Sequence, residues 1–462
     1  MMSTDVSLKL DTQYIFHPKL GPHGLTQEQI GELEPRVGKI LQEIAEERAR
    51  GEHGFRELPH KKPQLDEIKQ MVAELHDFAE NLLVLGIGGS ALGNIALQTA
   101  LNPSTYNLMP RTLRGGPRLF VLDNIDPVHF EAVMQVIGDD WSETLVNVIT
   151  KSGETAETSA QFLIVRDRLI HALGKDEFMN NLIVTTDTEK GTMRGIAERE
   201  GYRSLIMPDD VGGRFSVLSS VGLFSALMCG IDIDELLAGA AEMDQVVSDP
   251  NPLTNPAARI AMIHYLYDQS GKPMHVMMPY SQQLRDLADW YRQLWAESLG
   301  KIRGNDNENV GPTPIKALGA TDQHSQLQLY REGPNDKVFT LLEVGEFECD
   351  SIIPQAFEDV ETLNYLGRSS EGTLGGLLAA EKKATQLALR ESQRPSLTIH
   401  FPEVNARTVG EFIYLYESVI PIMGKLYDIN PYDQPAVELG KQLTFHFMGL
   451  KDYEEPPIDI DD

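Results

Sequence analysis

The chain has 462 residues, 41% of them hydrophobic, with 69 acidic against 40 basic side chains and a formal net charge of −29. That length supports two or more cores, and the negative field excludes nucleic acid or an anionic membrane as a partner recognised through overall charge. Any anionic substrate must therefore be held by local positive groups.

In chain order, residues 1–65 predict a mostly helical lead-in. From Leu82 to about Asp187 short apolar runs alternate with amphipathic stretches: Leu82–Leu85, Arg118–Leu122, Thr144–Thr150 and Asn181–Asp187. A fifth run, Ser204–Pro208, precedes Gly212-Gly213-Arg214-Phe215-Ser216 and an apolar helix to Gly230. This alternation predicts a doubly wound parallel sheet across a first α/β domain, 66–245. Past the Asp249-Pro250-Asn251-Pro252 loop, strands are predicted at Met274–Pro279, Val338–Val344 and Ser396–Pro402. Helices are predicted near Leu284–Leu299, Gly372–Arg390 and Thr408–Tyr427, giving a second, related α/β domain over 246–443. The remainder, 444–462, ends in acids and prolines and reads as a solvated tail.

No basic segment followed by an apolar one opens the chain, and no run approaches the roughly 20 apolar residues of a membrane span. Cys229 and Cys349 lie in different regions and read as free packing thiols, which suits a reducing compartment. A cytoplasmic protein without a membrane partner is expected.

The most informative stretch runs from Leu82 to Gly93, where a buried strand empties into Gly86, Gly88, Gly89 and Ser90 before a helix reaching Leu101. Glycines let the backbone approach a ligand, and the helix N-terminus favours an anion. The pattern Gly86-x-Gly88-x-x-Ala91 also fits a dinucleotide fingerprint, but that reading wants an acid about 20 residues on. The candidate, Asp123, lies well beyond that spacing.

A second strand-to-helix turn supplies Thr150, Lys151, Ser152, Thr155 and Thr158. Parallel sheets bind ligands at the carboxyl ends of their strands, so the two turns can form a two-sided phosphate cradle. The simpler alternative is that Ser152 or Thr155 caps the next helix. Arg214, behind two glycines, can deliver a guanidinium to a ligand, where an ordinary arginine would be a surface charge.

On the helix around Gln283–Gly300, residues Leu284, Leu287, Ala288, Tyr291, Leu294, Trp295 and Ser298 define the core face, with Glu297 on its flank. Glu297 is either an i,i+4 partner of Lys301 or a general base near a helix C-terminus. His324 sits in a polar stretch with no apolar face, open to solvent or substrate, and Lys441 reads locally as a helix-surface charge. No paired Cys or His stands at metal-ligand spacing, and no Gly-x-Ser-x-Gly elbow is present.

Taken in order, these segments resemble the phosphoglucose isomerase family from about Leu82 to Lys441. Asp210-Val-Gly-Gly-Arg214-Phe-Ser216 and Tyr432-Asp-Gln434-Pro-Ala-Val-Glu-Leu-Gly-Lys441 match its two signatures; Gln293–Lys301 and Gly319–His324 match its base and histidine segments. The resemblance implies two sugar-isomerase (SIS-like) units and an aldose–ketose isomerase interconverting glucose 6-phosphate and fructose 6-phosphate. It implies that Ser90, Lys151, Ser152, Thr155 and Gln434 hold the phosphate beside the Gly88-Gly89 loop. Glu297 would move the proton, Arg214 stabilise the cis-enediolate, and His324 and Lys441 assist ring opening. The family works as a homodimer whose histidine reaches the neighbouring site, so His324 is expected to act across the interface. Proton abstraction beside a carbonyl needs a carboxylate and a fixed cation, and no metal or redox cofactor is required.

One departure is Glu154, where the family usually carries a hydroxyl; a carboxylate beside phosphate would repel it by on the order of 1 kcal/mol, so Glu154 is expected to face solvent. Rival readings are a bifunctional phosphoglucose/phosphomannose isomerase, a non-catalytic sugar-phosphate-binding regulator, and a dehydrogenase.

Overall fold

The computed structural model describes residues 7–368 and 372–459; the end of the acidic tail, 460–462, lies outside them. The strands in chain order are β1 (Lys9–Tyr14), β2 (Asn81–Leu85), β3 (Arg118–Leu122), β4 (Thr144–Ile149), β5 (Leu182–Thr186) and β6 (Arg203–Ile206). They continue as β7 (Met274–Pro279), β8 (Lys301–Ile302), β9 (Asn309–Val310), β10 (Thr313–Lys316), β11 (Lys337–Glu346) and β12 (Ser396–Glu403).

A first sheet runs β3-β2-β4-β5-β6, parallel throughout. Every residue of β2, β4 and β5 is buried, because helices cover both faces, as apolar runs without alternation predict. Leu82 and Val84 face one core while Leu83 and Leu85 face another. The sheet order reverses between β2 and β4, and a crevice opens at such a switch point beyond the carboxyl ends of the strands.

The second sheet runs β1-β12-β11-β7-β10, parallel except for antiparallel β1 at one edge. β8 and β9 form a separate small hairpin. The helix Ala406–Tyr427 is buried without a break from Thr408 to Gly424, and the largest core joins it to Leu82 of the first sheet and Phe401 of the second. It packs closely on the helix Ile233–Val247: a Cβ at Gly239 would stand 1.9 Å from the Arg407 carbonyl oxygen, and one at Gly410 1.9 Å from that of Leu236.

Two doubly wound units with a helical lead-in and a C-terminal segment are therefore present, and three details differ from expectation. The lead-in contributes a strand, β1, to the second sheet; with Thr12 its one buried residue, it carries no alternating apolar signal. β10 is a short edge strand holding Pro314, tolerated because an edge leaves its missing donor unneeded. The boundaries expected at 65/66, 245/246 and 443/444 each fall within a continuous helix: Lys62–Leu75, Ile233–Val247 and Glu438–Phe447. Pro63 sits in the first turn of the first helix and so starts it rather than ending a segment. The second helix ends just before the Asp249–Pro252 loop, and the third has no proline to stop it.

Candidate active site

The site is assembled from turns at the carboxyl ends of the first sheet. After β2, Gly88 takes φ +58°, and a Cβ there would lie 3.0 Å from Gln293 Nε2. A Cβ at Gly89 would lie 2.2 Å from the Gly213 carbonyl carbon, so the turn holding Ser90 and the turn holding Arg214 meet backbone to backbone. Only glycine permits that approach. Ser90 is half-buried at the end of a tight turn, Gly88–Ser90, and the helix begins at Leu92.

After β4, Thr150 Oγ1 accepts from the Gly153 N–H at 3.1 Å and Ser152 Oγ from the Glu154 N–H at 3.1 Å. Thr155 occupies the N-cap position of the helix Ala156–Leu173, yet its side chain makes no capping bond. The hydroxyl chemistry is thus spent on shaping the turn, or left unengaged, rather than on the cap. Lys151 Nζ donates to the carbonyls of Asp209, at 2.6 Å, and Val211, at 3.2 Å. It ties this turn to the segment leading into Arg214. Glu154 is exposed.

Arg214 is buried and its three nitrogens all donate. Nε bonds Ser298 Oγ at 2.7 Å; Nη1 bonds Gln434 Oε1 at 2.9 Å and Glu297 Oε2 at 3.3 Å; Nη2 bonds the carbonyls of Pro431, at 2.6 Å, and Asp433, at 3.1 Å. Burial pushes the guanidinium below its ordinary range while Glu297 pulls the other way. Gln293 Nε2, one helical turn before Glu297, also reaches Glu297 Oε2, at 3.4 Å. Lys301 does not pair with Glu297: its ammonium bonds the carbonyl of Asp433 and, at 3.0 Å, Asp433 Oδ1. The i,i+4 reading of Glu297 is therefore set aside.

Glu297, Gln434 and Lys301 open onto a cavity of about 1240 Å³. Ser90, Lys151, Ser152, Thr155 and Arg214 stand outside its lining. Among the described residues neither His324 nor Lys441 makes a hydrogen bond or ion pair with Arg214 or Glu297. The Gly319 N–H bonds the Pro279 carbonyl at the carboxyl end of β7, placing exposed His324 just beyond that end. The helix Arg285–Leu299 starts at the same end and runs back, so Glu297 lies about 18 Å along it, 12 residues at about 1.5 Å each. Lys441 pairs with Glu438 at 2.6 Å on the helix Glu438–Phe447, which has no buried residue.

The sequence did not single out Gln293 or the Pro431 and Asp433 carbonyls as contributors. Ser298 was assigned to the core face, where it does lie, but a hydroxyl on an otherwise apolar stripe was a readable sign of a buried donor awaiting it.

Two doubly wound parallel-sheet units, with a buried guanidinium set against a half-exposed carboxylate, define the class: an α/β protein with a candidate acid–base pair. The Phosphoglucose isomerase profile matches residues 70–452. The chain belongs to the phosphoglucose isomerase family. It is 45% identical over 453 residues to a glucose-6-phosphate isomerase of Carboxydothermus hydrogenoformans, covering 97% of this chain and 96% of that one. It is 43% identical to the protein of the same name from Rubrobacter xylanophilus, covering 93% and 96%. Among solved structures, a Thermus thermophilus chain described as a hypothetical protein superposes with a TM-score of 0.85 at 34% identity, covering 96% of this chain and 100% of that chain. A glucose-6-phosphate isomerase of Chlamydia trachomatis shares the fold, with a TM-score of 0.73 at 23% identity over 85% and 74%.

Proposed function

We propose that this chain interconverts glucose 6-phosphate and fructose 6-phosphate by ring opening and enediol proton transfer, as a step of glycolysis and gluconeogenesis. The observation that carries this reading is Arg214 Nη1 at 3.3 Å from Glu297 Oε2. A fixed cation beside a carboxylate is the pair that proton transfer between C2 and C1 requires: one group takes the proton, the other meets the oxyanion charge that develops. Glu297 is the base and Arg214 the enediolate stabiliser. Ser90, Lys151, Ser152 and Thr155, with Gln434 and the Gly88-Gly89 loop, hold the phosphate. The meeting of the Gly89 and Gly213 backbones supports this grouping.

His324 and Lys441 assist ring opening. His324 acts in the neighbouring subunit of a homodimer, a reading supported by its exposure and by its position at the far end of the second unit from its own Glu297. Cytoplasmic residence is supported by the free thiols of Cys229 and Cys349; among the described residues no helix is long and apolar enough to cross a membrane.

The direct test follows solvent hydrogen. Fructose 6-phosphate incubated with the protein in tritiated water gains carbon-bound label if an enediol forms. Isomerisation through many turnovers without any label would replace proton transfer by direct hydride shift.

A further inference from the structure

A second cavity of about 380 Å³, sharing no lining residue with the first, lies between the helices Gln27–Ala49, Ile233–Val247 and Ala406–Tyr427. Its two acids are already engaged. Asp244 Oδ1 accepts from Arg48 Nη1 and from the Tyr414 hydroxyl, each at 2.6 Å, and Oδ2 from Arg48 Nη2, at 2.9 Å, and lies 2.8 Å from His60 Nε2. Asp249 accepts from the Thr254 hydroxyl and the Asn251 N–H. By contrast Arg56, which also lines the cavity, has no carboxylate partner among the described residues and stands over the Phe55 ring at 5.6 Å. Leu41, Ile44, Val247 and Ile422 supply apolar wall. A concave space of this size with one uncommitted cation and apolar sides fits a small anion with a hydrocarbon body.

The turn Gly54–His60 connects this cavity to the Arg214 cluster. At one end His60 meets Asp244 and Arg56 lines the cavity. At the other, a Cβ on Gly54 would fall 1.8 Å from Asp210 Oδ2, so the turn's backbone abuts the segment leading into Arg214. Phe55 packs on Phe215 with ring centroids 4.8 Å apart. His53, just before the turn, stacks at 3.7 Å on Tyr432, which lies between the two carbonyls that receive Arg214. One turn therefore touches both places.

We propose that the 380 Å³ cavity is a second ligand site, taking a small organic anion on Arg56, and that its occupancy alters turnover by shifting the Gly54–His60 turn against the Arg214 cluster. The effect on turnover rests on reading Arg214 as catalytic; the binding does not.

Succinate and butyrate serve as probes, a dianion and a monoanion with hydrocarbon bodies and no phosphate to occupy the cradle of the main site. Expected for at least one probe, at about ten times its dissociation constant, is a rise of roughly 1–2 °C in the thermal midpoint of the full-length protein. Arg56→Gln abolishes the rise and Arg56→Lys restores part of it, while both keep unliganded kcat within about twofold. The same probe changes kcat at saturating fructose 6-phosphate in the unmodified protein and not in Arg56→Gln. Equal midpoint shifts with and without Arg56, or none with either probe, overturn the site; an Arg56-dependent midpoint shift with unchanged kcat overturns the coupling. Glu297→Gln must retain the midpoint shift, so failure of the catalytic reading and failure of the second site give different results.

Discussion

Arg214 and Glu297 stand 83 positions apart in the chain and 3.3 Å apart in space, and they are unequally exposed: the guanidinium side chain is 2% accessible and the carboxylate 35%. The buried partner is held by five acceptors and has no freedom to follow a ligand. The accessible partner has only Gln293 and Arg214 on one oxygen, leaving Oε1 without a partner among the described residues. A fixed cation and a carboxylate with a free face divide the labour of an enediol step between a rigid and a reachable group.

Replacing Glu297 by Gln keeps the side chain's shape and removes the base. The expected outcome is a loss of kcat of about 10²–10⁴-fold with sugar-phosphate affinity nearly unchanged. Steady-state kinetics paired with equilibrium binding of fructose 6-phosphate measure both; retained turnover would take Glu297 out of the role.

Ser298→Ala removes the acceptor of Arg214 Nε in a fully buried place. Stability should fall by about 1.5–3 kcal/mol, the usual worth of a hydrogen bond to a charged group. Because the guanidinium loses one of its fixings, kcat should drop between about ten- and a hundredfold with little change in KM. Arg214→Ala should be more severe in kcat, about 10²–10³-fold, since it deletes the oxyanion partner itself. A change confined to KM in either variant contradicts the assignment.

If His324 serves the neighbouring subunit, inactive Glu297→Gln and His324→Ala chains complement each other. In a mixed dimer one site carries both lesions and the other neither, so random reassortment restores about one quarter of full activity, half of the dimers being mixed and half of their sites intact. Unfolding, mixing and refolding the two variants together makes the measurement. No recovery in verified mixed dimers would place His324 in its own chain's site.

Stability should also decline on acidification, through two histidines remote from the substrate. His264 and His275 pack with ring centroids 4.3 Å apart beside Trp295, whose Nε1 donates to His275 Nδ1 at 3.2 Å. Burial pushes His264 from its ordinary 6.5 down to about 3 and holds His275 well below 6.5. Both stay neutral in the fold while the unfolded chain takes up protons below about 6.5. Their contribution is therefore complete above that pH and is lost as pH falls, at no more than about 1.4 kcal/mol per pH unit each. Urea unfolding between about pH 7.5 and 5 should show the slope, and His264→Phe should reduce it; an unchanged slope would mean other groups carry the acid sensitivity.

Much of this architecture is legible along the chain because buried parallel strands announce themselves as unbroken apolar runs. Met274–Pro279 and Arg118–Leu122 are found at the residues where they were expected. Edge strands escape notice: β1 and β10 bury too little to leave a pattern. At the site, Gly212-Gly213-Arg214 is readable because two glycines before a cation have a steric purpose. The acceptors around Arg214 are not, since the carbonyls of Pro431 and Asp433 are backbone and carry no residue signature. Local spacing offers Lys301 a neighbour four residues away as one of two readings, while its partner lies 132 residues on, because such spacing reports only what a helix can do by itself.

Strand β1 has a consequence for how the polypeptide emerges. Among the described strands Lys9–Tyr14 is synthesised before all the others, yet its mate Ser396–Glu403 follows all of them. During translation the first sheet, whose strands lie between Asn81 and Ile206, can close on contacts of modest sequence separation, while the opening segment waits with an unpaired edge. The N-terminal ribbon thus acts as a latch that shuts only once β12 has emerged, and losing either β1 or β12 unfastens the same sheet edge.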